Sequence, residues 1–171
     1  AAYYMSKGLK EAGYGDIYAF DTALTMKSKT SENIEARAKS AGVILCSSLA
    51  DMLSKADTVI SALPARFSLS GVRDVLQSDL SKVRLFADVS TAKPSEKEQM
   101  ETLLSSKGVR FIDGAMLGPL PTYAHKVPIL ASGSGAVEWQ ERMVPYGMDI
   151  TIVEGKAGKA SSIKLIRSVF M

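Results

Sequence analysis

The chain has one cysteine, Cys46, and one histidine, His125, in 171 residues. A single thiol excludes an internal disulfide and a cysteine-based zinc site, and Cys46, which closes an apolar run, reads as a core residue. His125 has no second histidine or cysteine to join it, which argues against a transition-metal centre. A strong excess of one charge is also missing: 21 lysines and arginines stand against 18 acidic residues, a net charge of +3. The basic residues are scattered, so a nucleic-acid partner is not expected, whereas an anionic small ligand would not be repelled. No apolar stretch approaches a membrane span and nothing resembles a signal peptide. No membrane partner is therefore expected, and the reducing cytoplasm is the expected setting. The sequence has no internal repeat and no linker-like stretch.

What is there is an ordinary globular composition, 46% hydrophobic and 23% charged, in a chain long enough for one domain with a substantial core. Short apolar runs at residues 16–21, 43–46, 57–63, 83–89, 109–113, 127–132 and 150–153 read as strands. Between them lie helical segments at 1–13, 31–41, 49–55, 69–76, 94–104, 136–144 and 163–171, with Gly42 stopping one, Ser48 capping another and Pro94 opening a third. This alternation, with nearly all-apolar strands, predicts an α/β fold: a doubly wound, Rossmann-like parallel sheet covered by helices on both faces. The first helix begins without an N-cap and the last stops without a cap or glycine. Both ends read as cut, so residues 1–171 are expected to be one domain of a longer protein, lacking the first strand of its sheet.

In such sheets ligands bind beyond the carboxyl ends of the strands, near the switch in strand order. That singles out Asp21, Leu63-Pro64, Ser90-Thr91, the loop after Asp113 and the turn before Lys164. Asp21 stands where a dinucleotide fold places the acidic residue that binds the adenosine ribose; alternatively it initiates a turn. A ribose role favours NAD, because a carboxylate repels a 2′-phosphate, although Lys27 or Lys29 could neutralise one. Ser90 and Thr91 bring two hydroxyls to a strand mouth, where they suit a carboxylate or a nicotinamide, or else cap the helix that Pro94 opens. The run Asp113-Gly114-Ala115-Met116-Leu117-Gly118-Pro119 reads as a strand end that breaks into a stiff loop, with exposed amides able to hold an anionic substrate. Lys164 sits among Ile163, Leu165 and Ile166. Apolar company desolvates an amine and lowers its pKa toward the range of proton transfer; the alternative is a lysine snorkelling off an amphipathic helix. Gly155-Lys156-Ala157-Gly158-Lys159-Ala160 imitates a triphosphate loop, but Ala160 stands where a serine or threonine is required, and the motif is rejected.

In this order the pieces resemble the cofactor-binding domain of the β-hydroxyacid dehydrogenases, the group of 3-hydroxyisobutyrate and 6-phosphogluconate dehydrogenases, and most of all its 6-phosphogluconate dehydrogenase-like, NAD-binding branch. The likeness covers essentially the whole chain. Asp88, Ser90, Thr91 and Pro94 match the family's Asp-x-Ser-Thr-x-x-Pro element bordering the cofactor, and Leu63-Pro64 matches its Leu-Pro beside the nicotinamide. Gly155, Gly158 and Lys164 match a Gly-x-x-Gly-x-x-x-x-x-Lys-x-x-x-Asn motif whose lysine is catalytic. Ser168 stands at the Asn position, preceded by Arg167. In the substrate loop Asp113 and Gly118 match, while Leu117 and Pro119 replace a serine and a glycine.

The resemblance implies an NAD(P)-dependent oxidoreductase, NAD favoured over NADP, that oxidises a small hydroxy acid with Lys164 as general acid/base. It puts Asp21, Leu63, Pro64, Ser90 and Thr91 against the cofactor, and Leu117, Gly118, Pro119 and Ser168 against the substrate. It further implies an all-helical domain beyond the helix that begins near residue 159, through which relatives form homodimers. Imine reduction is an alternative within the same fold; Lys164 argues against it, because those relatives usually carry Asp or Tyr in its place. A dinucleotide-binding module without catalysis is the other alternative, kept open by the altered substrate loop.

Overall fold

The computed structural model describes residues 1–169. Helix α1 (Ala2–Glu11) buries Met5 and Leu9, one turn apart on its inner face. Strand β1 (Tyr18–Ala19) leads through a 3₁₀ turn at Thr22–Thr25 to α2 (Lys29–Ala41). That helix starts in a capping box, where the Ser31 amide donates to the Ser28 hydroxyl at 3.1 Å and the Ser28 amide to the Ser31 hydroxyl at 2.9 Å. It ends at Gly42, whose φ of 69° lies in the left-handed region. Then come β2 (Ile44–Leu45), α3 (Leu49–Leu53), β3 (Thr58–Ser61), α4 (Ala65–Val75), β4 (Leu85–Asp88), α5 (Pro94–Ser105) and β5 (Arg110–Met116). The chain continues through α6 (Leu120–Tyr123), β6 (Ile129–Ser132), α7 (Ala136–Met143), β7 (Ile150–Ile152) and α8 (Lys159–Val169). Ser48 caps α3 as its sequence suggests, accepting from the Asp51 amide at 3.0 Å.

Strands β3-β4-β5-β6-β7 form one ladder in that order, and β1 and β2 pair in parallel as a separate two-stranded ladder. Ser61, Asp88 and Asp113 lie side by side across β3, β4 and β5, all parallel. The expectation of a wholly parallel sheet is corrected at one pairing: β6 runs antiparallel to β5, which sets Ser132 opposite Asp113 and leaves β6 and β7 both reversed relative to β3–β5. The connection between them, residues 117–128, holds only the four-residue α6 and a 3₁₀ turn. It contains no crossover helix to return the chain to the starting edge. Strand β7 pairs parallel to β6.

Alternation along the central strands splits the core into two layers. Leu85 and Ala87 of β4 point into one cluster with Ile112, Ile129, Met5 and Trp139. Phe86 points into the other, with Phe111, Met100, Leu104 and Val72. Helices α1 and α7 therefore cover one face, and α4 and α5 the other, which is the doubly wound arrangement. Cys46 is buried, as expected of a core residue, and so is Trp139. His125 is buried as well: its ring packs where a side chain at Gly8 of α1 would overlap it, and Nε2 lies 3.0 Å from the Tyr146 carbonyl. The final Phe170 and Met171 of the expected last helix lie outside the described residues. No helix among the described residues is long and apolar enough to cross a membrane.

Candidate functional site

At the carboxyl ends of β3 and β4 the chain turns sharply into α4 and α5. Helix α4 begins directly after Leu63-Pro64, four residues earlier than the apolar periodicity indicates, because Pro64 holds the extended backbone from which the helix starts. Between these turns lies a cleft of about 200 Å³, whose lining includes Leu63, Pro64, Val89, Ser90, Thr91 and Met116. Four of the five residues expected against a cofactor thus share one wall.

Their roles separate. Ser90 is buried, donates to Asp88 Oδ2 at 2.7 Å and accepts from the Ala92 amide at 3.2 Å, so its hydroxyl holds the bend between β4 and α5. Thr91 is exposed, and its hydroxyl makes no hydrogen bond among the described residues. Neither caps α5: the N-cap residue is Lys93, whose amide donates to the carboxylate of Glu96 in the first turn at 2.9 Å. The lining thus combines apolar walls with the unengaged hydroxyl of Thr91.

Asp21 is exposed two residues past β1, and its Oδ1 accepts from the Ala23 amide at 2.8 Å. It is both a turn-initiating aspartate and a carboxylate at a strand end. Lys27, which follows the 3₁₀ turn, and Lys29, the first residue of α2, are both exposed.

The expectation that β5 ends at Asp113 is corrected: the strand runs on to Met116, and Asp113 sits in its middle, fully buried. Gly114 makes this possible, since a side chain there would press within 3.1 Å of Val89. The Asp113 carboxylate faces the start of α8. Its Oδ2 accepts from the amides of Gly158 and Ser161, each at 3.0 Å, and its Oδ1 accepts from the Ser161 hydroxyl at 2.6 Å. A carboxylate here complements the helix dipole and satisfies amides that have no partner within the helix. Ser132, opposite in β6, accepts from the Ala160 amide at 3.1 Å and donates to Asp113 at 3.4 Å. Gly155 and Gly158, with φ of 121° and 95°, form the turn that brings α8 down on this cluster. A Cβ at Gly158 would lie 2.8 Å from the Pro94 carbonyl oxygen.

Lys97 of α5 is buried in the same cluster. Its Nζ is 2.7 Å from Asp88 Oδ2 and 3.4 Å from Asp113 Oδ1, and it donates to the Asp88 carbonyl at 2.7 Å. Sequence reading missed this residue. Its signal was helical phase: Lys97, Met100 and Leu104 share the buried stripe of α5, so a lysine occupied an apolar position.

Lys164 lies one turn beyond Ser161 on the same face of α8. Its pKa is held below the ordinary lysine value of 10.5, first by burial and then by the charge of Lys97, against an upward pull from Asp113. Its apolar neighbours Ile163, Leu165 and Ile166 are 43%, 49% and 59% exposed, and α8 packs on β5, β6 and α5. Ser168 is exposed, and its hydroxyl donates to the Lys164 carbonyl at 2.9 Å.

The substrate loop is corrected too. The Leu117 amide donates to the Pro128 carbonyl at 2.8 Å, and Pro119 has no N–H to offer. Of Leu117, Gly118 and Pro119, only Gly118 keeps an unengaged amide among the described residues.

A family model described as the NAD binding domain of 6-phosphogluconate dehydrogenase matches residues 4–141. An uncharacterized 28.5 kDa protein of Methanothermus fervidus is 26% identical over 141 residues, covering 82% of this chain and 52% of that protein. A conserved hypothetical protein from Sinorhizobium meliloti 1021 superposes with a TM-score of 0.88 at 29% identity, over 99% of this chain and 56% of that one. The 3-hydroxyisobutyrate dehydrogenase of Mycobacterium tuberculosis, solved with L-serine, superposes at 0.79 with 22% identity, over 98% and 55% of the two chains. The imine reductase of Myxococcus stipitatus, in complex with NADP+, reaches 0.74 at 19% identity, over 99% and 57%. At these last two identities the likeness shows the fold alone. The chain spans about half the length of the relatives it matches.

Proposed function

Because this chain belongs to the family of the 6-phosphogluconate dehydrogenase NAD-binding domain, we propose that the protein carrying it is an NAD(P)-dependent oxidoreductase that oxidises a small hydroxy acid with Lys164 as general base. The observation that carries this reading is the setting of Lys164. A half-buried amine, its pKa lowered by burial and by Lys97, sits one turn beyond a helix start pinned to the middle of the sheet. The nicotinamide, when bound, supplies the hydride acceptor. Leu63, Pro64 and Val89 wall the space for its ring and Thr91 offers the free hydroxyl. Asp21, exposed just past β1, would accept from the ribose hydroxyls and so favours NAD, with Lys27 and Lys29 close enough in sequence to admit NADP.

In the forward direction the neutral amine of Lys164 takes the proton from the substrate hydroxyl as the carbinol carbon is oxidised, and the lysine returns it in reverse. A positioned general base contributes about 10²–10⁴-fold. The remaining acceleration comes from holding the substrate in line, the work of the Gly118 amide and the polar face of α8 that carries Ser168. A reading as a binding module without turnover draws support from one observation, the loss of the Leu117 and Pro119 amides as anion donors.

The test is to titrate the full-length protein with NAD and NADP by calorimetry, then follow the absorbance of reduced cofactor with a panel of hydroxy acids. Binding with turnover supports the proposal. Binding with no turnover on any hydroxy acid supports the module, and no binding of either dinucleotide overturns both.

A further inference from the structure

The cluster beneath α8 joins two parts of the site that are distant in sequence. Asp88 is tied upward to Ser90 at the cofactor cleft, and Asp113 is tied to the first turn of the lysine-bearing helix. Among the described residues, Lys97 is the one group that touches both carboxylates. All three side chains are fully buried, so solvent neither screens nor replaces these contacts.

We propose that Lys97 is a positioning residue for Lys164: by bridging Asp88 to Asp113 it fixes the first turn of α8 against the end of β4, and with it the lysine one turn further on. This rests on the reading of Lys164 as the base, but only for its consequence, since the bridge is defined by geometry. Burying a lysine costs free energy unless both its charge and its protons are matched. Here each partner is itself a structural element: the Asp88 carboxylate, the Asp88 carbonyl at the end of β4, and the carboxylate that caps α8. A residue that served only to fill the α5 stripe would be apolar, as Met100 and Leu104 are.

The bridge also has an electrostatic consequence. Helix α8 packs on β5, β6 and α5. Strand β6 carries no charged residue, and Arg110 of β5 pairs with Glu138. On α5, Glu96 accepts from Lys93, Glu98 pairs with Lys156 at 2.8 Å, and Glu101 accepts from the amides of Ser134 and Ala157 at 2.7 and 2.9 Å. Lys97 and Asp113 are the charges that act on Lys164, in opposite directions. Removing Lys97 takes away a positive neighbour, leaves Asp113 uncompensated and loosens the helix start, and each change favours the protonated amine of Lys164.

The experiment compares the parent with Lys97→Met, and with the double variant Lys97→Met/Asp88→Asn, which removes the carboxylate that Lys97→Met would strand. Competitive acetylation with an isotope-labelled anhydride over a pH series, read by mass spectrometry on the Lys164 peptide, gives the titration of that amine without any turnover. Folding is checked by circular dichroism. The expected result is an upward shift of the Lys164 midpoint and slower acetylation at neutral pH in whichever variant folds, with peptides of exposed lysines such as Lys29 unchanged. A Lys164 titration that coincides with the parent's in a folded variant overturns the inference and leaves the dehydrogenase reading standing. Failure of dinucleotide binding would sink that reading and leave this titration unaffected. If neither variant folds, Lys97→Gln, which keeps a donor toward Asp88 and loses the charge, must still raise the Lys164 midpoint; no shift there overturns the inference equally.

Discussion

Replacing Asp113 with alanine removes the acceptor at the centre of the buried cluster. Three donors from α8 lose their partner: the amides of Gly158 and Ser161 and the Ser161 hydroxyl. Lys97 loses one of its two carboxylates. Breaking a buried ion pair from one side costs about 3–5 kcal/mol, and losing a helix N-terminal acceptor about 1 kcal/mol. The two overlap, because one carboxylate serves both. Lys97 also keeps Asp88 at 2.7 Å, so the expected loss is about 4 kcal/mol, within the range for a disrupted buried network. For a chain of this size that corresponds to a fall of roughly 8–16 °C in Tm. Asp113→Asn keeps one acceptor oxygen and is expected to lose about half as much. Urea unfolding followed by the fluorescence of Trp139, the single tryptophan and fully buried, reads the difference directly. An alanine variant within about 0.5 kcal/mol of the parent, the range of an ordinary surface change, would refute the claim that Asp113 anchors α8.

Gly158→Ala combines a φ of 95° with a Cβ placed 2.8 Å from the Pro94 carbonyl oxygen; the expected cost is about 2–3 kcal/mol. Gly13→Ala, at φ 86° with nothing within 4 Å, should cost about 1 kcal/mol, and thermal unfolding of the two separates clash from conformation. Ser90→Ala should lower stability by about 1–2 kcal/mol through its lost bond to Asp88. Thr91→Ala should leave stability unchanged and weaken dinucleotide binding, both readable by calorimetry. Because the folded-state pKa of Lys164 lies below the unfolded value of 10.5, the hydroxy-acid oxidation rate should rise with pH and level off before the ordinary lysine range. In that same window the unfolded chain binds more protons, so this group's contribution to stability rises with pH.

What was legible in the sequence was local. Gly42 ending α2, Ser48 capping α3 and Pro94 opening α5 each act within four residues, and each stands where its chemistry indicates. Leu63, Pro64, Ser90 and Thr91 were legible as a group because strand ends of a doubly wound sheet converge. The direction of β6 was not, since apolar runs look alike whichever way they pair. Neither was the place of Asp113, whose hydrogen-bond partners lie 45 and 48 residues away. The loop after it looked rich in free amides, yet Leu117 is engaged by Pro128 across the β5–β6 turn. The lowered pKa of Lys164 was legible in its sequence setting, but the part played by Lys97 was not, since the two belong to helices that meet only in the folded chain.

The most direct measurement is the turnover of Lys164→Met beside the parent, in the full-length protein, with whichever dinucleotide and hydroxy acid support turnover in the parent. With Lys164 as the proton acceptor, dinucleotide affinity stays within a few-fold while kcat falls by about 10²–10⁴. A methionine variant that keeps the parent's kcat would contradict the assignment and return Lys164 to the status of a half-buried lysine on the inner face of α8.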